Sequence, residues 1–299
     1  MRPAPEGLLF GTAGVPHSAA ADSTVSGIQR VRELGLDCLE VEFVRGVHMD
    51  AETAAAVRRA AEKHGVRLSV HAPYFINLNA ADEGKRLQSQ ERLLKSARTA
   101  AACGAVSVVF HAGYYGESAP EQTGRAVRDS LSRTASIIRR ELLPVSLRIE
   151  TMGKRSQFGS LDEVLSLCRE VEGLKPCLDF SHIYAREGRV NSYGEFERVL
   201  AKVAKKLGLR ALHDLHIHIA GVHYGGAGEL KHLNLEEADF RYDEWLEALR
   251  DCGASGMVVC ESPNLERDAL MLQALYRGLV SKEEGRAGAL NRAAKTSLP

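Results

Sequence analysis

The sequence predicts a single-domain α/β chain folded as a (β/α)8 TIM barrel, and three observations predict it. Short apolar runs alternate with amphipathic segments from one end of the chain to the other, eight of each. The runs are nearly continuously hydrophobic, as parallel strands buried on both faces are. No Gly-x-Gly-x-x-Gly follows the first run, so an open doubly wound sheet has less support than a closed barrel.

The predicted strands are LLFGT (8–12), CLEVEF (38–43), RLSVHA (67–72), VSVVFHA (106–112), VSLRIET (145–151), PCLDF (176–180), LHIHIAG (215–221) and GMVVCES (256–262). Between them lie Ala-, Leu-, Glu- and Arg-rich segments with helical periodicity, several closed by a Gly just past the last apolar position. Asp50 and Ser160 stand where helix N-caps are expected. The barrel is expected over residues 1–282. From Glu283 the periodicity fades, and 283–299 read as a polar, loosely attached tail.

Composition narrows the function classes. With 299 residues, 44% hydrophobic and 26% charged, the chain can bury a large core. It has no apolar run of about 18 residues, so no membrane partner is expected. Its N-terminus lacks a signal-peptide pattern. Six cysteines without CxxC pairing read as free thiols of a reducing cytoplasm, and a cytoplasmic monomer is expected. Thirty-nine basic residues balance thirty-nine acidic ones, so nucleic-acid binding would have to rest on a local basic rim.

The chemistry lies in the strand ends. The third run ends in His71, the fourth in His111, the fifth in Glu150 and the sixth in Asp179, followed by His182. The seventh carries His216 and His218, and the eighth ends in Glu261. Barrel active sites are built at these C-terminal ends. Carboxylates facing each other in a dry cavity repel unless cations neutralise them. Mixed imidazoles and carboxylates suit Zn²⁺, and less specifically Mn²⁺ or Fe²⁺. The set exceeds what one tetrahedral ion needs, so two or three ions are expected. His216 and His218 share one face of an alternating strand, and either is suited as a ligand; His216 is preferred.

The blocks HAPYFINL (71–78), FHAGYY (110–115), ETMGKRSQFGS (150–160), LDFSHIY (178–184) and CESPNLE (260–266) resemble the signature blocks of the endonuclease IV family of apurinic/apyrimidinic DNA endonucleases, in the family's order. The resemblance implies a three-zinc phosphodiesterase that cuts double-stranded DNA 5′ to abasic sites in base excision repair. It implies that His71 and His111 serve a first metal, and that Glu150 bridges it to a second. Asp179, His216 and Glu261 would complete the second, and His182 would belong to a third. The family's Asp-x-His after the seventh strand is replaced by Glu229-Leu-Lys-His232, which makes Glu229 and His232 the candidates for that third position.

The same resemblance assigns Tyr74 and Phe75 to the DNA stack at the lesion; packing on the barrel rim is the other reading of these aromatics. Arg45 after the second run, and Lys154, Arg155 and Gln157 after the fifth, are candidates for phosphate contacts. Clustered cations would neutralise the phosphodiester and activate a water, with Glu150 and Glu261 as the catalytic carboxylates. Two alternatives stand beside this: a sugar isomerase or epimerase on the same metal-binding barrel, and a non-catalytic binding protein.

Overall fold

The computed structural model describes residues 7–296, with side chains up to residue 281. Its barrel strands include β1 (Leu8–Ala13), β2 (Cys38–Glu42), β3 (Arg67–His71), β4 (Ser107–Phe110), β5 (Ser146–Glu150), β6 (Leu174–Asp179) and β7 (Leu215–Ile219). A hairpin, β8 (Gly221–Gly225) and β9 (Gly228–Leu233), precedes the last barrel strand, β10 (Gly256–Cys260). The barrel closes in the order β1-β10-β7-β6-β5-β4-β3-β2, and every pairing in it is parallel. Every predicted run thus supplies one barrel strand.

The helices form an outer layer: α1 (Thr24–Glu33), α2 (Ala51–His64), α3 (Glu83–Cys103), α4 (Pro120–Arg140), α5 (Leu161–Glu170), α6 (Phe180–Glu187), α7 (Tyr193–Leu207), α8 (Tyr242–Asp251) and α9 (Glu266–Thr296). Local chemistry sets their ends. Asp50 accepts a hydrogen bond from the Thr53 amide at the start of α2, and Gly65 ends it in the left-handed conformation. Ser160 and Glu163 form a reciprocal capping box on α5. The backbone of α9 runs through the segment expected as a tail from Glu283, while 297–299 lie outside the described residues.

Two elements were absent from the expected pattern. Helix α6 starts directly at the end of β6, and the β8–β9 hairpin leaves the barrel one residue after β7. The run expected as one strand to 221 therefore breaks at Ala220. The hairpin strands are largely polar and solvent-facing, with a bulge between His223 and Tyr224, so they carry no apolar signature.

The interior of the barrel is filled with polar side chains as well as apolar ones. At its N-terminal end Arg148, buried on β5, donates to the Asp214 carboxylate at 2.8 Å and to the Asp214 carbonyl at 3.0 Å. Lys175 meets the second Asp214 oxygen at 2.6 Å. Although burial opposes it, these two cations hold the Asp214 carboxyl below its usual range. Asp214→Ala is expected to cost about 2 kcal/mol, less than a fully buried pair because Asp214 is one-third exposed. This would be read as a melting temperature lowered by roughly 4–6 °C at pH 7. A folded carboxyl held low stabilises above its unfolded pKa, so the difference between parent and variant should shrink below about pH 4. An unchanged melting temperature would show that Arg148 needs no carboxylate partner.

Candidate metal centre

Strand register decides which side chains share a level at the C-terminal mouth. Asp179 on β6 stands opposite His218 on β7, and Glu42 on β2 opposite His71 on β3. Glu150 is the hub. Its Oε2 lies 3.0 Å from His111 Nε2 and 3.2 Å from His71 Nε2, and its Oε1 lies 3.1 Å from His182 Nδ1 and 3.5 Å from His218 Nδ1.

Around this hub the donor atoms fall into three adjoining groups, each within 4.8 Å: His71, His111 and Glu150; Glu150, Asp179, His218 and Glu261; and His182, Glu229 and His232. The first two sit on barrel strands or just past their ends. The third joins α6 to β9, with Glu229 lying 3.5 Å from His182 Nε2 and 3.6 Å from His232 Nε2.

Two glycines allow that third group to assemble. Gly228 opens β9 at φ 99°, and a Cβ there would collide with the Gly153 carbonyl oxygen. A Cβ on Gly153 would stand 2.7 Å from Glu229 Cβ and 2.9 Å from His182 Cδ2. Backbone hydrogen bonds from Glu229 to Gly153 and from Arg155 to Ala227 fasten the hairpin to the loop after β5.

Asp179 serves two ends at once. Its Oδ1 accepts the His182 amide at 2.7 Å as the N-cap of α6, and its Oδ2 faces His182 Nδ1 at 3.2 Å.

The electrostatics are those of a dense, buried charge cluster. Burial opposes protonation of His71, yet the hydrogen bond to Glu150 and the charge of Glu42 push it up to about 10. Burial acts likewise on His182, where Asp179 and Glu150 raise it to about 10. Burial raises Asp179 to about 6 and Glu42 to about 8, with neighbouring carboxylates adding to both. Burial also opposes ionisation of Glu150, but the imidazoles of His111 and His218 hold its carboxyl well below the usual range.

The donor set fits divalent metal ions. Glu150 Oε1, Asp179 Oδ2 and His218 Nδ1 are buried without a hydrogen bond, although each faces the cluster. His71 Nδ1 lies 2.8 Å from the Ala72 carbonyl and His182 Nδ1 3.0 Å from that of Thr151. His232 Nδ1 lies 3.3 Å from the Glu261 carbonyl. Each of these rings therefore turns its Nε2 toward a carboxylate of the cluster, the arrangement in which a metal-binding imidazole is oriented by its other nitrogen.

Most of the expected ligands thus meet at one place, and one stands apart. His216, the preferred candidate on β7, lies one layer deeper and is bonded through Nε2 to Glu40 at 3.0 Å, whereas His218 stands beside Asp179 and Glu261. Both point inward, and the register fixes which reaches the mouth. Glu229 and His232 do meet His182 despite the altered spacing. Glu40 and Glu42 escaped notice in the sequence, although the alternation in CLEVEF places them on one face.

A cavity of about 310 Å³ opens over the cluster, lined in part by Tyr74, Tyr114, Lys154 and Gln157. Tyr74 packs its ring 5.2 Å from that of His71 and 5.4 Å from that of His111, and remains 45% exposed. Phe75 beside it is 62% exposed. Gln157 is buried. Arg45 is exposed after β2 and does not line this cavity, and Arg155 Nε donates to the Arg186 carbonyl. A larger cavity of about 760 Å³ lies elsewhere, between Phe10, His213 and Tyr276, and among the described residues holds no cluster of this kind.

A family model described as xylose isomerase-like TIM barrel matches residues 28–279. An uncharacterized protein of Methanocaldococcus jannaschii is 44% identical over 273 residues, covering 91% of this chain and 98% of that protein. "Probable endonuclease 4" of Aquifex aeolicus is 26% identical over 228 residues, covering 73% of this chain and 78% of that protein. Among solved structures, endonuclease IV from Thermus thermophilus superposes with a TM-score of 0.68 at 20% identity, covering 91% of this chain and 99% of its own. A D-tagatose 3-epimerase-like protein superposes with a TM-score of 0.64 at 19% identity, covering 92% and 99%. At these identities the structural likenesses establish the fold alone, and the fold serves both chemistries.

Proposed function

The chain belongs to the xylose isomerase-like TIM barrel family, and we propose that it is a metal-dependent phosphodiesterase acting on DNA at abasic sites. The observation that carries the reading is the presence of three adjoining donor groups, two of which share Glu150 while His182 of the third lies 3.1 Å from it. A sugar isomerase or epimerase needs ligands for one or two ions, fewer than the three groups offer. The endonuclease 4 names of sequence relatives such as that of Aquifex aeolicus support the same direction.

Divalent ions bound by these residues would supply charge against the anionic phosphodiester and lower the pKa of a water. The chain itself does the rest. Glu150 holds imidazoles from three strands and α6 about one carboxylate. Glu261, turned to His218 Nδ1 at 3.3 Å, stands at the cavity as a proton acceptor. Lys154 lines the cavity, and its charge suits a phosphate oxygen.

A second reading is favoured by one observation: Glu150, Asp179, His218 and Glu261, three carboxylates and an imidazole, are by themselves enough donors for a single ion beside a small cavity. A ketose isomerase or epimerase would need no more. One experiment separates the two. Zinc-loaded protein should carry two or three ions per chain and should cut an abasic duplex while leaving a panel of ketoses unchanged. A single ion together with ketose turnover would replace the nuclease by the sugar enzyme.

The exposed aromatics make a further expectation. An abasic site has no base to stack, so a ring inserted there costs less than at an intact step. Base–aromatic stacking is worth about 1–3 kcal/mol per contact. Replacing Tyr74 and Phe75 together by Ala should lower the preference for abasic over intact duplex about tenfold, with metal content unchanged. Competition binding with the two duplexes measures this, and an unaltered preference would assign the pair to rim packing.

A further inference from the structure

We infer that Glu40, which lies beneath the cavity and outside the donor groups, is a positioning residue: it holds His218 with Nε2–H toward the barrel interior, so that Nδ1 faces Glu150 and Glu261. The inference rests on the metal reading above and concerns how one ion's ligand is oriented.

Four observations converge on it. Glu40 is fully buried on β2, one inward position below Glu42. Its Oε1 lies 2.8 Å from His218 Nε2 as an ion-pair contact, and neither atom has a hydrogen-bond partner elsewhere. Its Oε2 accepts from Ser69 Oγ at 2.6 Å and from His216 Nε2 at 3.0 Å, which fixes the carboxylate in place. His218 in turn presents Nδ1 at 3.3 Å from Glu261 and 3.5 Å from Glu150.

The contrast with the other imidazoles sharpens the argument. His71 and His232 direct their far nitrogen to a backbone carbonyl, whereas the far nitrogen of His218 faces a carboxylate. A carboxylate is the stronger acceptor and raises the basicity of the opposite nitrogen. An ionised carboxylate in a barrel interior is costly, and apolar side chains would fill the same space without that cost. The deeper group of Cys177, His216 and His218 also brings its donor atoms within 4.8 Å of one another. Yet both nitrogens of His216 are already directed elsewhere, Nε2 to Glu40 and Nδ1 to Ser107 at 3.5 Å. His216 therefore acts as a brace for Glu40.

The test uses the full chain and zinc ion alone, with per-ion affinities from competition against a chromophoric chelator. Glu40→Gln should weaken one ion about 10–100-fold and leave the others within about twofold. Ser69→Ala, which keeps the charge and frees the carboxylate, should weaken the same ion by less, and it preserves the test if the first variant does not fold. Long-range proton–nitrogen spectra of the imidazoles should show His218 as a single Nε2–H form in the parent and a mixture in Glu40→Gln. If the parent binds its ions and both variants keep every affinity and a single His218 form, the inference is overturned while the metal centre stands. A parent that binds no zinc overturns both. Loss of an ion in Cys177→Ser also overturns the inference, by making the deeper group a metal site.

Discussion

Glu261→Gln is expected to lower turnover on an abasic duplex at least about a hundredfold, the usual scale when one preorganised charged group is removed from a water-poor site. Glu261 sits just past β10, with its carboxylate at the cavity and 3.3 Å from His218 Nδ1. Gln has the same shape and removes the negative charge and the capacity to take up a proton. The rim residues Tyr74, Phe75 and Lys154 are untouched, so duplex affinity should stay within about twofold of the parent. Single-turnover cleavage and equilibrium binding on the same duplex separate the two quantities. Near-normal turnover would remove Glu261 from the chemistry and shift attention to Glu42, the other carboxylate that adjoins His71 and Glu261.

Gly228→Ala should act through the hairpin alone. A side chain at this position meets the Gly153 carbonyl and strains a backbone held at φ 99°, so β9 must move outward. Glu229 and His232 then withdraw from His182, which stays on α6. A displacement of about 1 Å at a reacting centre costs on the order of a hundredfold in rate. One ion of the complement should be lost at moderate chelator concentration, with the melting temperature of the metal-free protein little changed, because the hairpin lies outside the closed barrel. Full metal content with full activity would show that the third group is dispensable.

How far the sequence alone reaches depends on the kind of information each element carries. The eight barrel strands are legible because burial on both faces makes them continuously apolar, and Asp50 and Ser160 are legible because capping is local chemistry. The candidate donors are legible because they fall at strand ends, which a barrel gathers at one mouth. What one strand's periodicity cannot encode is height along the barrel axis. His216 and His218 have the same facing, and only the pairing of Asp179 with His218 distinguishes them. Glu40 and Glu42 are obscured for the opposite reason: alternating with Leu39, Val41 and Phe43 they look like the solvent face of a half-exposed strand, although they point into the barrel. The β8–β9 hairpin is held by glycines and backbone contacts to the loop after β5, and a partner so distant in sequence leaves no local pattern.

The double duty of Asp179 has a consequence for how the protein meets a ligand. One oxygen begins α6 and the other faces the imidazole that this helix carries, so the turn of chain from 179 to 182 brings His182 to the cluster as it forms. Backbone entropy in that part of the centre is surrendered during folding, and less is left to be lost on binding. A substrate or ion arriving at this side of the mouth encounters a surface already in its final shape. Selection there works by fit, and a poorly matched molecule cannot recruit the helix to improve its own contacts.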